Sequence, residues 1–389
     1  TMQGRYMNAL LAAQEQCGWL PSWSAPGETG GMIGNHAISL LTDAWAKGIR
    51  TFDPEEALGR YYREITRSAV DTLNNGDYNR EHVRGYGRLG FEDYFAMGYI
   101  PYPQGTDRVM ETTSKTIEYN YDDFCAWQLA RMTGNKFYEE IFSRVMYNYR
   151  NVFDKESGFM RGRLKDGSWL APFDPYEWGG PYCEGNAWHY NWSVFHDVQG
   201  LINLYGSDET FTQKIDSVFT RPNIIKPGTY GGMIHEMKEM ELAGMGQYAH
   251  GNEPSHHMAY LYNWTDSPWK GQGYLDYIMQ NFYTNEPDGI IGNEDCGQMS
   301  AWYVMSALGF YQVSPGIPVY TLGRPMVNKA SMHVKGGIFE IVATNNSPAN
   351  KYVKEVKLNG KVLETPFISH SDIINGGKLE FIMTDQPVK

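Results

Sequence analysis

A chain of 389 residues with a net charge of −12 at neutral pH offers no basic surface to nucleic acid or to an anionic membrane. With 42% hydrophobic and 20% charged residues it is globular, large enough for two domains or for one barrel with an accessory module, and no apolar run reaches the roughly 18 residues of a membrane span. Cys17, Cys125, Cys183 and Cys296 are widely spaced and show no CxxC or Cys/His ligand pattern, which argues against a zinc site or a disulfide framework.

Helical periodicity dominates up to about residue 312. It predicts helices near 2–17, 35–47, 54–74, 80–97, 114–132, 135–152, 187–205, 208–218, 254–263, 269–283 and 297–308. Within 187–205, Val194, Val198, Leu201, Ile202 and Tyr205 recur at helical spacing. Breaker-rich stretches such as "PSWSAPGETGG", "KDGSW" and "RPNIIKPGTYGG" separate the helices. After "QVSPGIPVY" the pattern changes: "GIFEIVATN", "YVKEVKLNGKVL" and "KLEFIMT" read as strands, and Asn359-Gly360 marks a two-residue hairpin. The expected organisation is mainly α, with helical hairpins over 1–312, closed into a ring, and a β-rich module over 313–389.

The dipeptide Gly-Asn precedes predicted helices at Gly34, Gly185, Gly251 and Gly292, where asparagine would serve as N-cap. Three of these four places also carry acids: Glu184, Glu253, and Glu294 with Asp295. In "GNEDCGQMSAWYVMSALGFY", Asp295 and Gln298 fit a capping box, and Gly309 is placed to close the helix in the left-handed conformation. In a ring of hairpins the inner helices share one N-terminal end, so the acids would converge on one mouth.

That mouth is rich in aromatic residues, as in "PFDPYEWGGPYCEGNAWHYNW", and flat rings beside multidentate polar groups suit sugar recognition. Separated carboxylates there match the needs of glycoside hydrolysis. Glu184, among Tyr182, Trp188 and Tyr190, is a candidate general acid, and Asp295, at a helix start, a candidate base. Asn252 and Glu253 offer oxygen ligands to calcium. Glu184 also fits a plain dipole partner of its helix, and His256-His257 resembles no metal motif.

The segments "YCEGNAWHYNWSVFHDVQGL", "GNEPSHHMAYLYNW", "GNEDCGQMSAWYVMSALGFYQVSPG", "SKTIEYNYDDFCAWQLA" and "FDKESGFMRGRLKDGSWLAPFDP" closely resemble the signatures of glycoside hydrolase family 92. The resemblance covers almost the whole chain. It implies an (α/α)6 barrel with a β-sandwich and a calcium-dependent, inverting exo-α-mannosidase. Carried over by position, it implies Glu184 as general acid and Asp295 as general base. It implies sugar contacts at Asn35, His36, Trp188, Glu253, His257 and Asn293, and calcium ligands at Asn252, Glu253 and Asp295. The calcium ion would hold the mannose O2 and O3 and favour a flattened, oxocarbenium-like ring. Three positions depart from the pattern: Asn293 replaces a second Asp of the base pair, Asn35 an Asp that binds the terminal sugar, and Asn252 a His associated with α-1,2 preference.

The expected partner is an α-mannoside oligosaccharide. The resemblance also implies a periplasmic or secreted location, and an upstream segment carrying the remaining sandwich strands and the first barrel helix. Two readings stay open beside it: another (α/α)6 carbohydrate-active enzyme, and a carbohydrate-binding protein with degenerate catalysis.

Overall fold

The computed structural model describes residues 1–23, 28–70, 85–104 and 109–388. It divides into two compact units, each discontinuous in sequence. The first comprises Thr1–His196, Ile225–Met233 and Pro315–Ile317; the second comprises Asp197–Ile224, Ile234–Ser314 and Pro318–Lys389.

The first unit holds α1 (Met2–Cys17), α2 (Ala37–Ala46), α3 (Pro54–Ile65), α4 (Phe91–Met97), α5 (Thr112–Thr133), α6 (Lys136–Ser143) and the single turn α7 (Ala187–Tyr190). It also holds two short antiparallel strand pairs, β1 (Ser68–Val70) with β2 (Gly85–Gly87), and β3 (Phe153–Asp154) with β4 (Phe159–Met160). Leu41, Tyr61, Phe124, Leu129 and Phe142 form part of its apolar core. Helix α5 runs through that core and is buried on every face from Thr112 to Ala126. A helix buried all round is ordinarily apolar. This one carries Lys115, Glu118, Asn120, Asp122 and Asp123 into the interior, so each polar group needs a protein partner.

The helices expected at 54–74 and 80–97 are shorter than their periodicity suggests. Helix α3 ends where Thr66 Oγ1 bonds back to the Tyr62 carbonyl at 2.8 Å. Helix α4 starts only after Gly87 and Gly90, both at positive φ. Residues 71–74 and 80–84 of those expectations lie outside the described residues. The stretch 187–205 is broken in two because Asp197 leaves the helical conformation and caps the next helix by accepting from Gly200 N at 3.0 Å.

The second unit contains α8 (Val198–Tyr205), α9 (Asp208–Thr220), α10 (His235–Ala243), α11 (Pro268–Asn281), α12 (Gln298–Leu308) and α13 (His370–Ile374). The periodicity did not reveal α10. The helix expected at 254–263 is instead two 3-10 segments, Glu253–Ser255 and Met258–Trp264.

Strands β5 (Phe310–Tyr311), β6 (Val319–Leu322), β7 (Lys329–Val334), β8 (Gly337–Thr344), β9 (Tyr352–Leu358), β10 (Lys361–Val362), β11 (Phe367–Ser369) and β12 (Gly377–Thr384) follow. They form a five-stranded sheet, β10-β9-β12-β8-β7, and a three-stranded one, β11-β6-β5. Only the β12–β8 pairing in these two sheets is parallel. Alternate residues Phe339, Ile341 and Ala343 on β8 and Leu379, Phe381 and Met383 on β12 turn inward. They join Phe310, Tyr320, Leu322 and Ile368 of the smaller sheet in one apolar cluster. The predicted hairpin is present: Asn359 (φ 52°) and Gly360 (φ 81°) are both left-handed, as a type I′ turn requires, and Leu358 faces Lys361.

Candidate active site

In the first unit, Glu184 lines a pocket of about 220 Å³ with Met110, Glu111, Lys115, Tyr119, Cys183 and Tyr230 among its walls. The loop carrying Glu184 is clamped from several sides. Its start docks on the N-terminus of α5, whose Thr113 and Ser114 amides donate to Pro181 O at 3.1 and 3.2 Å. Cys183 N donates to Ser114 Oγ at 3.0 Å, and Glu184 N donates to the Tyr230 hydroxyl at 2.7 Å. Glu184 itself is held at φ 43° and Glu111 at φ 59°, conformations that cost a side-chain-bearing residue energy and persist only where the surroundings enforce them. Lys115 pairs with Glu111 at 2.9 Å. Burial raises the Cys183 thiol well above its ordinary range, and the charges of Glu111 and Glu184 add to that.

The buried carboxylates of α5 each find a partner. Asp122 accepts from Asn35 N at 2.6 Å and pairs with His36 Nδ1 at 2.8 Å, while Glu118 faces His36 Nε2 at 3.3 Å. Burial opposes a charge on His36, but the two carboxylates outweigh it and hold the imidazole well above its usual range. Asp123 accepts from Arg88 at 2.9 and 3.0 Å, from Tyr61 at 2.9 Å and from Tyr94 at 2.8 Å, and the Arg88–Asp123 pair is fully buried. Asn35 spends its side chain inside the protein, donating to Glu64 at 3.1 Å and accepting from Arg88 at 3.3 Å. Burial raises Glu64 to about 8, against the bonds it accepts from Leu20 N and Asn35.

In the second unit, two of the Gly-Asn loops meet. A Cβ on Gly292 would stand 2.9 Å from the Cα of Gly251. The contact brings the loop of Asn252 and Glu253 against the loop of Asn293, Glu294 and Asp295. Asn252 caps the first 3-10 turn by accepting from Glu253 N at 3.1 Å, and Pro254 sits in that turn as expected. The capping box expected of Asp295 is absent. Asp295 (φ 47°) and Cys296 (φ 58°) are left-handed, and α12 begins beyond them with Gly297 at its N-cap. Glu294 does the capping, accepting from Ser300 N at 3.1 Å and Ser300 Oγ at 2.9 Å. Asp295 is thereby released from the helix end and half-buried. Its charge is felt by Glu239 of α10, whose carboxyl is raised by burial, opposed by His235, and raised further by Glu236 and Asp295.

The remaining expected site residues divide plainly. Asn293 is exposed and Glu253 half-buried. His257 is buried, and Trp188 packs in the core at 4.8 Å from Phe159, edge to face, outside the pocket of Glu184. His256 bonds the His250 carbonyl at 3.0 Å, and burial lowers it to about 4 despite that bond, so the ring is neutral and structural. Of the four Gly-Asn asparagines, Asn186 and Asn252 are side-chain caps, Asn186 in a reciprocal box with His189. Glu111, Lys115 and Tyr230 escaped the sequence reading, because no local pattern announces their place beside Glu184. Glu118 and Asp122 had a signal: charges on every face of one helical segment.

The family model for the glycosyl hydrolase family 92 catalytic domain matches residues 1–385. A solved inverting mannosidase of that family from Bacteroides thetaiotaomicron is 40% identical, with a TM-score of 0.86 over 99% of this chain and 50% of its own. A family 92 α-mannosidase from the same organism is 36% identical, with a TM-score of 0.83 over 99% of this chain and 47% of its own. A protein of Arthroderma benhamiae described as an uncharacterized secreted glycosidase is 25% identical over 96% of this chain and 48% of its own length. The chain thus spans about half the length of these relatives, and shares with the solved ones a helical (α/α)6 body followed by β-sandwich strands. Among the described residues no helix is long and apolar enough to cross a membrane. With a family model matched over residues 1–385 and two solved relatives at 36–40% identity, the chain belongs to glycosyl hydrolase family 92.

Proposed function

We propose that the protein releases terminal α-linked mannose with inversion, with Glu184 as general acid and Asp295 as general base, assisted by calcium. The observation that carries the reading is the release of Asp295 from the end of α12: Glu294 takes over the capping, which leaves a carboxylate in a strained backbone with no structural duty at the helix. Glu184, likewise in a strained loop and lining a pocket of about 220 Å³, supports the acid role. In an inverting reaction the acid protonates the leaving oxygen while the base takes a proton from the attacking water, and the carboxyls stand roughly 6.5–9.5 Å apart. Sugar contacts are proposed at His36, Glu253 and Asn293, whereas Asn35, whose amide is spent on Glu64 and Arg88, and the buried Trp188 and His257 offer a sugar no free surface. His36 spends both ring N–H groups on Glu118 and Asp122, so it would meet a sugar through its ring face and its charge.

Among the described residues no three His, Cys, Asp or Glu side chains gather as a metal cage. The ligands proposed for calcium, Asn252, Glu253 and Asp295, are all oxygen donors on two touching loops, which suits a hard cation whose shell is completed by backbone carbonyls, water and sugar hydroxyls. When bound, the ion would neutralise charge and polarise the sugar hydroxyls it holds. A periplasmic or secreted location and an N-glycan-type substrate belong to the same proposal, as does an upstream segment completing the sandwich. The test is NMR of the first product from an α-mannobiose: β-mannose is expected. Initial release of α-mannose would overturn inversion, and no cleavage of any linkage would leave a sugar-binding protein.

A further inference from the structure

Gly251 is outside the left-handed region, so its backbone alone would accept any residue. What a side chain there would displace is Glu239. A Cβ on Gly251 would collide with the carboxylate oxygen Oε2 and stand 3.2 Å from the Cβ of Glu239. A Cβ on Gly292 would meet the same Oε2 at 2.9 Å. One carboxylate oxygen therefore fills the joint between the loop of Asn252 and Glu253 and the loop of Asn293 and Asp295. The other oxygen anchors it: Oε1 bonds His235 Nδ1 at 3.0 Å. Oε2 is buried and has no hydrogen-bond partner among the described residues. A buried carboxylate oxygen without a partner costs stability, and the fold keeps it at this joint all the same.

We propose that Glu239 is a positioning residue for the reaction. Its carboxylate is the spacer that sets how closely the two loops approach, and so where Asn252, Glu253 and Asp295 stand relative to one another. The inference rests on the mannosidase reading above and gives Glu239 no contact with the sugar. Misplacing reacting groups by about 1 Å costs on the order of a hundredfold in rate. The spacer works through its shape, so glutamine can replace it and alanine cannot.

Wild type, Gly251→Ala, Glu239→Ala, the double variant and Glu239→Gln are compared by thermal unfolding and by kcat and KM on an α-mannobiose. In the wild-type background Gly251→Ala lowers Tm and lowers kcat about tenfold or more, with little change in KM; in the Glu239→Ala background, where only the 3.2 Å contact to the Cβ of residue 239 remains, both penalties are clearly smaller. Glu239→Gln keeps kcat within about threefold of wild type, whereas Glu239→Ala loses about tenfold or more while still unfolding cooperatively. Additive Gly251→Ala penalties, a Glu239→Gln variant as poor as Glu239→Ala, or a Glu239→Ala variant with lowered Tm and unchanged kcat would each overturn the proposal. The thermal cycle needs no turnover. A wild-type protein that cleaves no α-mannoside therefore defeats the mannosidase reading, and this role with it, while an active wild type with an additive cycle defeats this role alone.

Discussion

Gly251 and Gly292 touch backbone to backbone: a Cβ on Gly292 would stand 2.9 Å from the Cα of Gly251 and 3.0 Å from its carbonyl oxygen. Gly292 also sits at φ 86°. Gly292→Ala therefore combines the left-handed penalty, about 1–2 kcal/mol, with a backbone collision. We expect a loss of at least about 2 kcal/mol in stability and a fall in kcat/KM, read by denaturant unfolding and by initial rates. A variant as stable and active as the wild type would show that the loops do not depend on this contact.

Glu184→Gln should cut turnover of a mannobiose by a factor of about 10²–10⁴, and far less for an aryl mannoside whose leaving group needs no proton. Asp295→Asn should suppress both substrates, since attack by water is common to them. Equal losses on both substrates for Glu184→Gln would remove the acid role.

Exhaustive chelation should abolish hydrolysis, and calcium should restore it. Because an ion that binds only the folded state also stabilises it, Tm should fall with the chelator and recover with the metal. Full activity after chelation would end the calcium assignment.

Glu64 gives a pH dependence of defined sign. Its carboxyl rises from 4.5 to about 8 on folding, so between those values the folded chain holds a proton that the unfolded chain has released. Its contribution to stability is complete below 4.5 and is lost as the pH rises to about 8. Glu64→Gln should flatten the decline by up to ~1.4 kcal/mol per pH unit, measured by urea unfolding between pH 5 and 8. Parallel curves for variant and wild type would contradict it.

The buried Arg88–Asp123 pair predicts a large effect of the opposite kind. Arg88→Met leaves Asp123 with only the Tyr61 and Tyr94 hydroxyls, and a buried carboxylate stripped of its cation costs about 3–5 kcal/mol. A shift below about 1 kcal/mol in denaturant unfolding would mean that the tyrosines alone suffice.

What the sequence disclosed was local. Gly309 closes α12 at φ 94°, Asn359-Gly360 turns the hairpin, and Asn186 caps α7, each decided by residues within four positions. The (α/α)6 body and sandwich strands were legible from the motifs carrying the family resemblance. What stayed hidden was set by distance or by competing geometry. Arg88 and Asp123 are 35 residues apart. Helix α10 ends at Gly244 and has no side-chain cap at its start, so "HEMKEMELA" between glycine-rich stretches gave no boundary signal. Asp295 looked like a cap because the left-handed turn at Cys296 and Gly297, which pushes it off the helix, cannot be read from residue types.

Strand β12 occupies the middle of its sheet although β7, β8, β9 and β10 all precede it in the chain. Until that stretch leaves the ribosome, β7–β8 and β9–β10 can exist only as two separate hairpins, each with an inner edge open to wrong partners. The module must therefore assemble late and all at once, with Leu379, Phe381 and Met383 arriving as the wedge that joins its halves. A protease cut within Gly377–Thr384 would reverse that step, parting the sheet into its two hairpins.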